Sequence, residues 1–220
     1  MFDSVNVIGA SGRAGSAISA RLEERGVQLA AGEAELILLC VPDAAISTVA
    51  QGLEPGPWVA HVSGATSLAA LDPHERRFSV HPLQTLVTWR GPEQLDGAYG
   101  AIVGETAAAR ERARWLASTL GLEPFELADE LRTLYHAGAA IASNYLVTLH
   151  RVASSLFDDV GAPAEGLVPL MRRTIENGFE LTGPIARGDS STVEAHLAAL
   201  RERRPELVPL YETLAEATAR

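Results

Sequence analysis

Val5-Asn6-Val7-Ile8-Gly9-Ala10-Ser11-Gly12-Arg13-Ala14-Gly15 is the stretch whose reading decides the fold. Val5 to Ile8 reads as a short buried strand. The glycines follow at once, and an apolar helix is predicted from Ser16 to about Glu24. Strand, glycine-rich turn and helix N-terminus together make an anion site. The glycines let the backbone turn tightly and approach a phosphate, and the unpaired N–H groups of the first helical turn point at it. The spacing G-x-x-G-x-x-G is one residue longer than the usual G-x-G-x-x-G. Its place directly after an apolar strand favours a dinucleotide cradle over a plain strand-to-helix turn. Gly9, Ala10, Ser11, Gly12, Arg13 and Gly15 are its candidate residues.

Downstream, something expected is missing. A dinucleotide fold needs a second strand ending near an acid about 20 positions beyond the glycines, to hold the adenosine ribose. Val27 to Ala30 forms at most a stubby second strand. After Ala31-Gly32-Glu33-Ala34-Glu35 the next strand, Leu36 to Val41, has already begun. A parallel crossover of a dozen or more residues does not fit. Glu33 and Glu35 read as loop residues. The phosphate cradle is present, while part of the second strand–helix unit is deleted.

Strands and helices alternate up to Leu127. A helix at Ala44–Gln51, a strand at Trp58–Val62, a short helix at Ser67–Leu71 and a strand at Phe78–Val80 follow in turn. Then come a strand at Tyr99–Val103, a helix at Thr106–Leu120 and a strand at Glu123–Leu127. This alternation implies a Rossmann-like α/β domain, residues 1–127, with a mostly parallel sheet. From Ala128 the pattern is helical throughout. One long helix spans Asp129–Val160, and further helices cover Ala164–Phe179, Thr192–Arg203 and Glu206–Ala217, with Asp189, Ser190 or Ser191 as cap of the one beginning at Thr192. Residues 128–220 are therefore expected to form an all-α domain for substrate binding or dimerisation.

Formal net charge is −10, which disfavours nucleic acid and anionic membranes as partners. No apolar run approaches the ~18 residues of a membrane span, and no signal peptide precedes the first strand. The expectation is a cytoplasmic protein acting on a small molecule. Cys40 lies inside an apolar strand and reads as a small core hydrophobe. The six histidines show no ligand spacing with cysteine or carboxylate, so no metal site is expected.

Several motifs occur in order: the glycine-rich start, Val41-Pro42-Asp43, Ser63-Gly64-Ala65, His81-Pro82-Leu83-Gln84-Thr85, Tyr135-His136-Ala137, Ala142-Ser143-Asn144-Tyr145-Leu146, and Leu181-Thr182-Gly183-Pro184-Ile185-Ala186-Arg187-Gly188-Asp189. Together they resemble the Rossmann-like bacterial oxidoreductases carrying the C-terminal domain of unknown function 2520. These are similar in build to 6-phosphogluconate dehydrogenase, pyrroline-5-carboxylate reductase and ketopantoate reductase. The resemblance covers nearly the whole chain and implies an NAD- or NADP-dependent reductase of a small keto acid or similar carbonyl. The chain departs from it at the shortened second strand. A degenerate, non-catalytic protein binding a smaller phosphorylated ligand or a protein partner is the alternative.

In an open parallel sheet, ligands bind beyond the carboxyl ends of the strands. There the cradle would hold the pyrophosphate. Arg13 would add a charge-assisted bond or remain a solvated helix-start residue. Val41 and Pro42 would flank the nicotinamide ribose or simply stop a strand. Ser63 is a substrate-bonding hydroxyl or an ordinary turn serine. His81 is a proton-transfer candidate. On the long helix, at ~100° per residue, Ser143 falls within about 20° of His136 and Asn144 about 80° away, so all three face a cleft or share a solvated face. Related dehydrogenases place a lysine on the equivalent helix. This chain has no lysine, and Arg132 and His136 are the nearest cations, His136 being the better acid because arginine stays protonated. A helix of about 32 residues is roughly 48 Å long and must bury its stripe on something. A homodimer through the helical domain is expected.

Overall fold

The computed structural model describes residues 1–219. Its strands are β1 (Ser4–Ile8), β2 (Gln28–Leu29), β3 (Leu36–Leu39), β4 (Trp58–His61), β5 (Arg77–Pro82), β6 (Tyr99–Val103) and β7 (Glu123–Glu126). They form one sheet in the order β2-β1-β3-β4-β5-β6-β7, parallel except for the β5–β6 pair. The helices of this part are α1 (Arg13–Glu24), α2 (Ile46–Gln51) and α3 (Ala107–Thr119).

β3 shows why both faces of the sheet are covered. All four of its residues are buried, and a strand points successive side chains to opposite faces. Leu36 and Leu38 join Val5, Ile18, Leu22, Phe78 and Leu116 in one cluster. Ile37 and Leu39 join Ile46, Ala50, Val59, Leu68 and Leu71 in another. Thus α1 and α3 cover one face, and α2 with the 3₁₀ turn Leu68–Leu71 covers the other, the usual condition of a parallel sheet.

The shortened second unit still makes a parallel strand. β2 pairs with β1 at Ser4↔Gln28 and Val5↔Leu29, while β3 pairs with the other side of β1 beginning at Val5↔Leu36. Leu29 and Leu36 therefore stand at the same level on either side of Val5. The chain has no strand length to retrace, only about two strand spacings of ~4.8 Å to cross. A few extended residues at ~3.3 Å each reach that far, so the crossover helix is dispensable. Ser4 and Asn6, which share one face of β1, hold the crossing segment: the Glu35 amide donates to Ser4 Oγ at 3.1 Å, and Asn6 Nδ2 donates to the Gly32 carbonyl at 3.1 Å. The Glu35 carboxylate accepts from the Asp3 amide at 2.7 Å, at the start of β1.

The expected single helix from Asp129 is composite. A 3₁₀ turn, Asp129–Leu131, leads into α4 (Arg132–Ala140), a π turn covers Ile141–Tyr145, and α5 spans Leu146–Asp159. Contacts divide the chain into compact units of residues 1–148 and 149 onward. The first unit runs beyond residue 127, where alternation ends, because Asp129 and Arg132 are bonded to the strand ends. Strands and helices alternate in the first unit, and only helices occur in the second, as the sequence implies. The second unit contains α6 (Leu167–Glu176), the four-residue α7 (Gly183–Ala186), α8 (Ser190–Arg203) and α9 (Val208–Thr218). Asp189 is the cap of α8, accepting from the Thr192 amide at 3.0 Å. α7 went unread in the sequence because Gly183 and Pro184 look like loop residues. α6 ends before Phe179, whose φ of 61° cannot continue a helix.

Glu35→Ala is expected to lower stability by about 1 kcal/mol, the loss of one hydrogen bond, while Glu33→Ala leaves it unchanged. Urea unfolding of both variants checks this.

Candidate functional site

Ile8, Leu39, His61 and Ser79 lie in one register row across β1, β3, β4 and β5. The segments that follow them therefore emerge side by side, and these are the motifs picked from the sequence. Gly9 has φ +92°, and a Cβ there would lie 2.4 Å from the Cys40 carbonyl oxygen. A Cβ on Gly15 would lie 2.0 Å from the Gly9 carbonyl oxygen. Both positions demand glycine: the turn is folded onto its own helix and onto the end of β3, beside Val41. α1 begins at Arg13, earlier than the sequence suggested. Gly12 caps it without a side-chain bond, and no acid sits in its first turn. The helix start keeps its positive end unneutralised. Arg13 is exposed at that end, and Pro42 is exposed after β3.

Arg132 is the centre of the adjoining strand ends. Only 2% exposed, it donates through Nε to Asp129 Oδ1 at 2.6 Å, through Nη1 to the Ser63 carbonyl at 3.0 Å, and through Nη2 to Ser79 Oγ. Asp129 in turn accepts from Ser67 Oγ at 2.5 Å and from the Leu68 amide at 3.2 Å. Ser63 is committed within the same knot. Its hydroxyl accepts from the Ala65 and Thr66 amides and donates to Thr66 Oγ1 at 2.9 Å. These bonds form the turn that carries Gly64. His61, fully buried, accepts from the Ser63 amide through Nδ1 at 3.2 Å.

Next to this knot is a cleft of about 520 Å³ whose lining includes His81, Gln84, Thr85, Tyr135, His136, Ser143 and Asn144. His81 Nδ1 and the Tyr135 hydroxyl are 2.8 Å apart, and the His81 and His136 ring centroids 6.1 Å. A Cβ on Gly64 would fall 2.8 Å from His81 Cε1 and 2.9 Å from His136 Cδ2, so only glycine leaves room between the imidazoles. His136, Ser143 and Asn144 line one cleft, as the helical spacing suggested, although the π turn lies between them. Ser143 donates to the Ala139 carbonyl at 2.8 Å, which leaves Asn144 the freer polar group. Tyr135, present in the sequence analysis only as part of a motif, is a further residue of the cleft. Its position before His136 was the available signal.

Burial, then His136 and Arg132, hold the His81 imidazole down to about 4, against an opposing pull from Asp43. Burial, then Arg132, takes His61 down to about 3. Both are neutral near pH 7. Burial pushes the Tyr135 phenol up to about 12. Partial burial alone would raise the Asp129 carboxyl, but hydrogen bonds from Ser67, Arg132 and Leu68 outweigh it and leave the group below its ordinary range. Among the described residues, no cluster of three or more His, Cys, Asp or Glu fit to hold a metal occurs. No helix of the described residues is long and apolar enough to cross a membrane.

The family model of a domain of unknown function (DUF2520) matches residues 99–218, and the chain belongs to that family. No curated protein matches it. Among solved structures, a Bacteroides fragilis protein assigned as an NADP oxidoreductase is similar with a TM-score of 0.82 at 20% identity, covering 99% of this chain and 98% of that one. A Thermotoga maritima protein matches with a TM-score of 0.78 at 22% identity, covering 98% of each chain. A 1-pyrroline-5-carboxylate reductase from Streptococcus pyogenes gives a TM-score of 0.63 at 15% identity, covering 98% of this chain and 96% of that one. These likenesses show a Rossmann-like fold.

Arg132→Ala is expected to destabilise by about 3–5 kcal/mol, since it leaves Asp129 and two polar groups without their buried partner. Arg132→Lys should not restore stability, because an ammonium cannot serve three directions in one plane. Because the Asp129 carboxyl is held low, its share of stability is fully present above the ordinary carboxylate range and is lost as pH falls through its depressed value. Urea titrations of wild type and both variants at pH 7 and pH 3 check the magnitude and the sign.

Proposed function

We propose that this chain is an NAD- or NADP-dependent reductase of a small carbonyl compound, such as a keto acid. The observation that carries the reading is the alignment of four strand-end motifs beside a cleft walled by two imidazoles. The fit to a dinucleotide rests on the turn itself, where a Cβ at Gly9 or Gly15 would strike backbone atoms and where the start of α1 offers amide donors to a pyrophosphate. Gly9 to Gly15 would hold the diphosphate with Arg13 beside it, and Val41 and Pro42 would flank the nicotinamide end. When bound, a reduced nicotinamide supplies a hydride. His81, Asn144 and His136 would bind and orient the carbonyl and furnish the proton. Ser63 serves by holding the Gly64 turn open between the histidines. The 6-phosphogluconate dehydrogenase-like and ketopantoate reductase-like build expected from the sequence belongs to this proposal.

One observation favours the alternative of a smaller phosphorylated ligand. β2 runs out into Ala30, Ala31 and Gly32, and Glu35 is spent on the Asp3 amide. Glu33 is then the one acid between β2 and β3 left for an adenosine ribose. Calorimetric titration with NADPH and NADH separates the two. Binding of either, weakened at least tenfold by Gly15→Ala, supports the reductase. No binding of either at millimolar concentration sinks it.

We also propose a homodimer through the helical part. Arg132 is the one buried residue in α4, the π turn and α5 among the described residues. Leu134 is 75% exposed, Ile141 60%, Leu170 61% and Phe179 72%. Large apolar side chains exposed in each unit are what an interaction surface supplies. Light scattering is expected to give twice the 23.3 kDa chain mass. A mass of one chain across the concentration range contradicts the dimer.

A further inference from the structure

Resting on the reductase reading, we propose that the two cleft histidines have different jobs, and that Tyr135 sets the division. Tyr135 is a positioning residue that fixes His81 as the Nε2–H tautomer. His81 then polarises the substrate oxygen as a neutral hydrogen-bond donor, and the proton that completes reduction comes from another group, His136.

The geometry points to this tautomer. The only hydrogen bond of either group among the described residues is the one between them, His81 Nδ1 to Tyr135 OH at 2.8 Å. One of the two must donate. A phenol is the more acidic and the better donor, and among the described residues it bonds no other acceptor. A neutral imidazole carries its proton on one nitrogen and accepts on the other. If Nδ1 accepts from Tyr135, Nε2 carries the hydrogen. Edge contacts hold the pair in register: the His81 and Tyr135 rings meet at 84° with centroids 5.6 Å apart, and Phe125 packs on the other side of Tyr135 at 5.9 Å.

The far edge of the His81 ring is kept accessible by a missing side chain. A Cβ on Gly64 would come within 2.9 Å of Nε2. Glycine there leaves that nitrogen an approach from the cleft. The charged and titratable groups around His81 are Arg132, Tyr135 and His136 from α4, His61 from β4 and Asp43 from the turn after β3. Arg132 and His136 oppose a second proton on the ring, Asp43 favours one, and burial decides the balance. A neutral imidazole is a hydrogen-bond donor but a poor acid, since giving up its proton would leave an anion. The pattern of two like groups with divergent environments is how one site separates its proton roles.

The test is nitrogen NMR on full-length protein labelled at histidine, with His81 assigned through His81→Gln. The expected spectrum shows Nδ1 unprotonated and Nε2 protonated, with no titration between pH 5.5 and 8.5. Tyr135→Phe should abolish the single tautomer, moving both nitrogens toward averaged shifts. A protonated Nδ1 in wild type, or titration of His81 with a midpoint near 6.5, overturns the proposal even if the variant does not fold. Unchanged shifts in a folded Tyr135→Phe also overturn it. NADPH added to the same sample keeps the two ideas apart. Failure to bind contradicts the reductase reading and leaves the tautomer assignment standing.

Discussion

A single buried guanidinium holds the working end of this fold. Arg132 reaches from the start of α4 to the Ser63 carbonyl after β4, to Ser79 on β5, and back to Asp129. A buried cation is tolerated only when its donors are met by well-placed acceptors, and here three directions are met at once. The reward is positional. Where Arg132 is tied, Tyr135 and His136, three and four residues further along α4, come to stand over Gly64 and His81. The cleft is therefore not a gap between loosely placed elements but a consequence of one saturated charge.

The glycine turn belongs to the same economy of space. Gly9 and Gly15 let α1 start directly against the carbonyl end of β1 and the last residues of β3, where no Cβ fits. The row of strand ends then carries the cradle, the Val41-Pro42 turn, the Ser63 turn and His81 in adjacent positions. The truncation of the second unit leaves this row untouched. It removes material only on the far side of β1, where β2 is two residues long.

Much of this was legible in the sequence, for identifiable reasons. Leu36 to Leu39 is apolar without alternation, which marks a strand buried on both faces. Thr106 and Asp189 announce their helices through side-chain caps. The strand-end motifs were readable because a parallel sheet confines its ligand chemistry to one edge. What stayed hidden depended on register or on tertiary bonding. The parallel pairing of β2 became possible because Leu29 and Leu36 share one level, which periodicity does not reveal. The π turn at Ile141–Tyr145 has no local signature in Ile-Ala-Ser-Asn-Tyr. Arg132 was noted as a nearby cation, but its burial among Asp129, Ser63 and Ser79 comes from residues far apart in the chain. The bond from Arg132 to the Ser63 carbonyl joins residues 69 apart in the chain.

The central claim is that one row of strand ends, organised by Arg132, binds a nicotinamide dinucleotide. Hydrogen-exchange mass spectrometry with and without NADPH tests it most directly. The account predicts slowed exchange in peptides covering residues 9–15, 41–45 and 81–85 together, with β7 unchanged. Protection confined to residues 9–15 would contradict it, as would no protection at all.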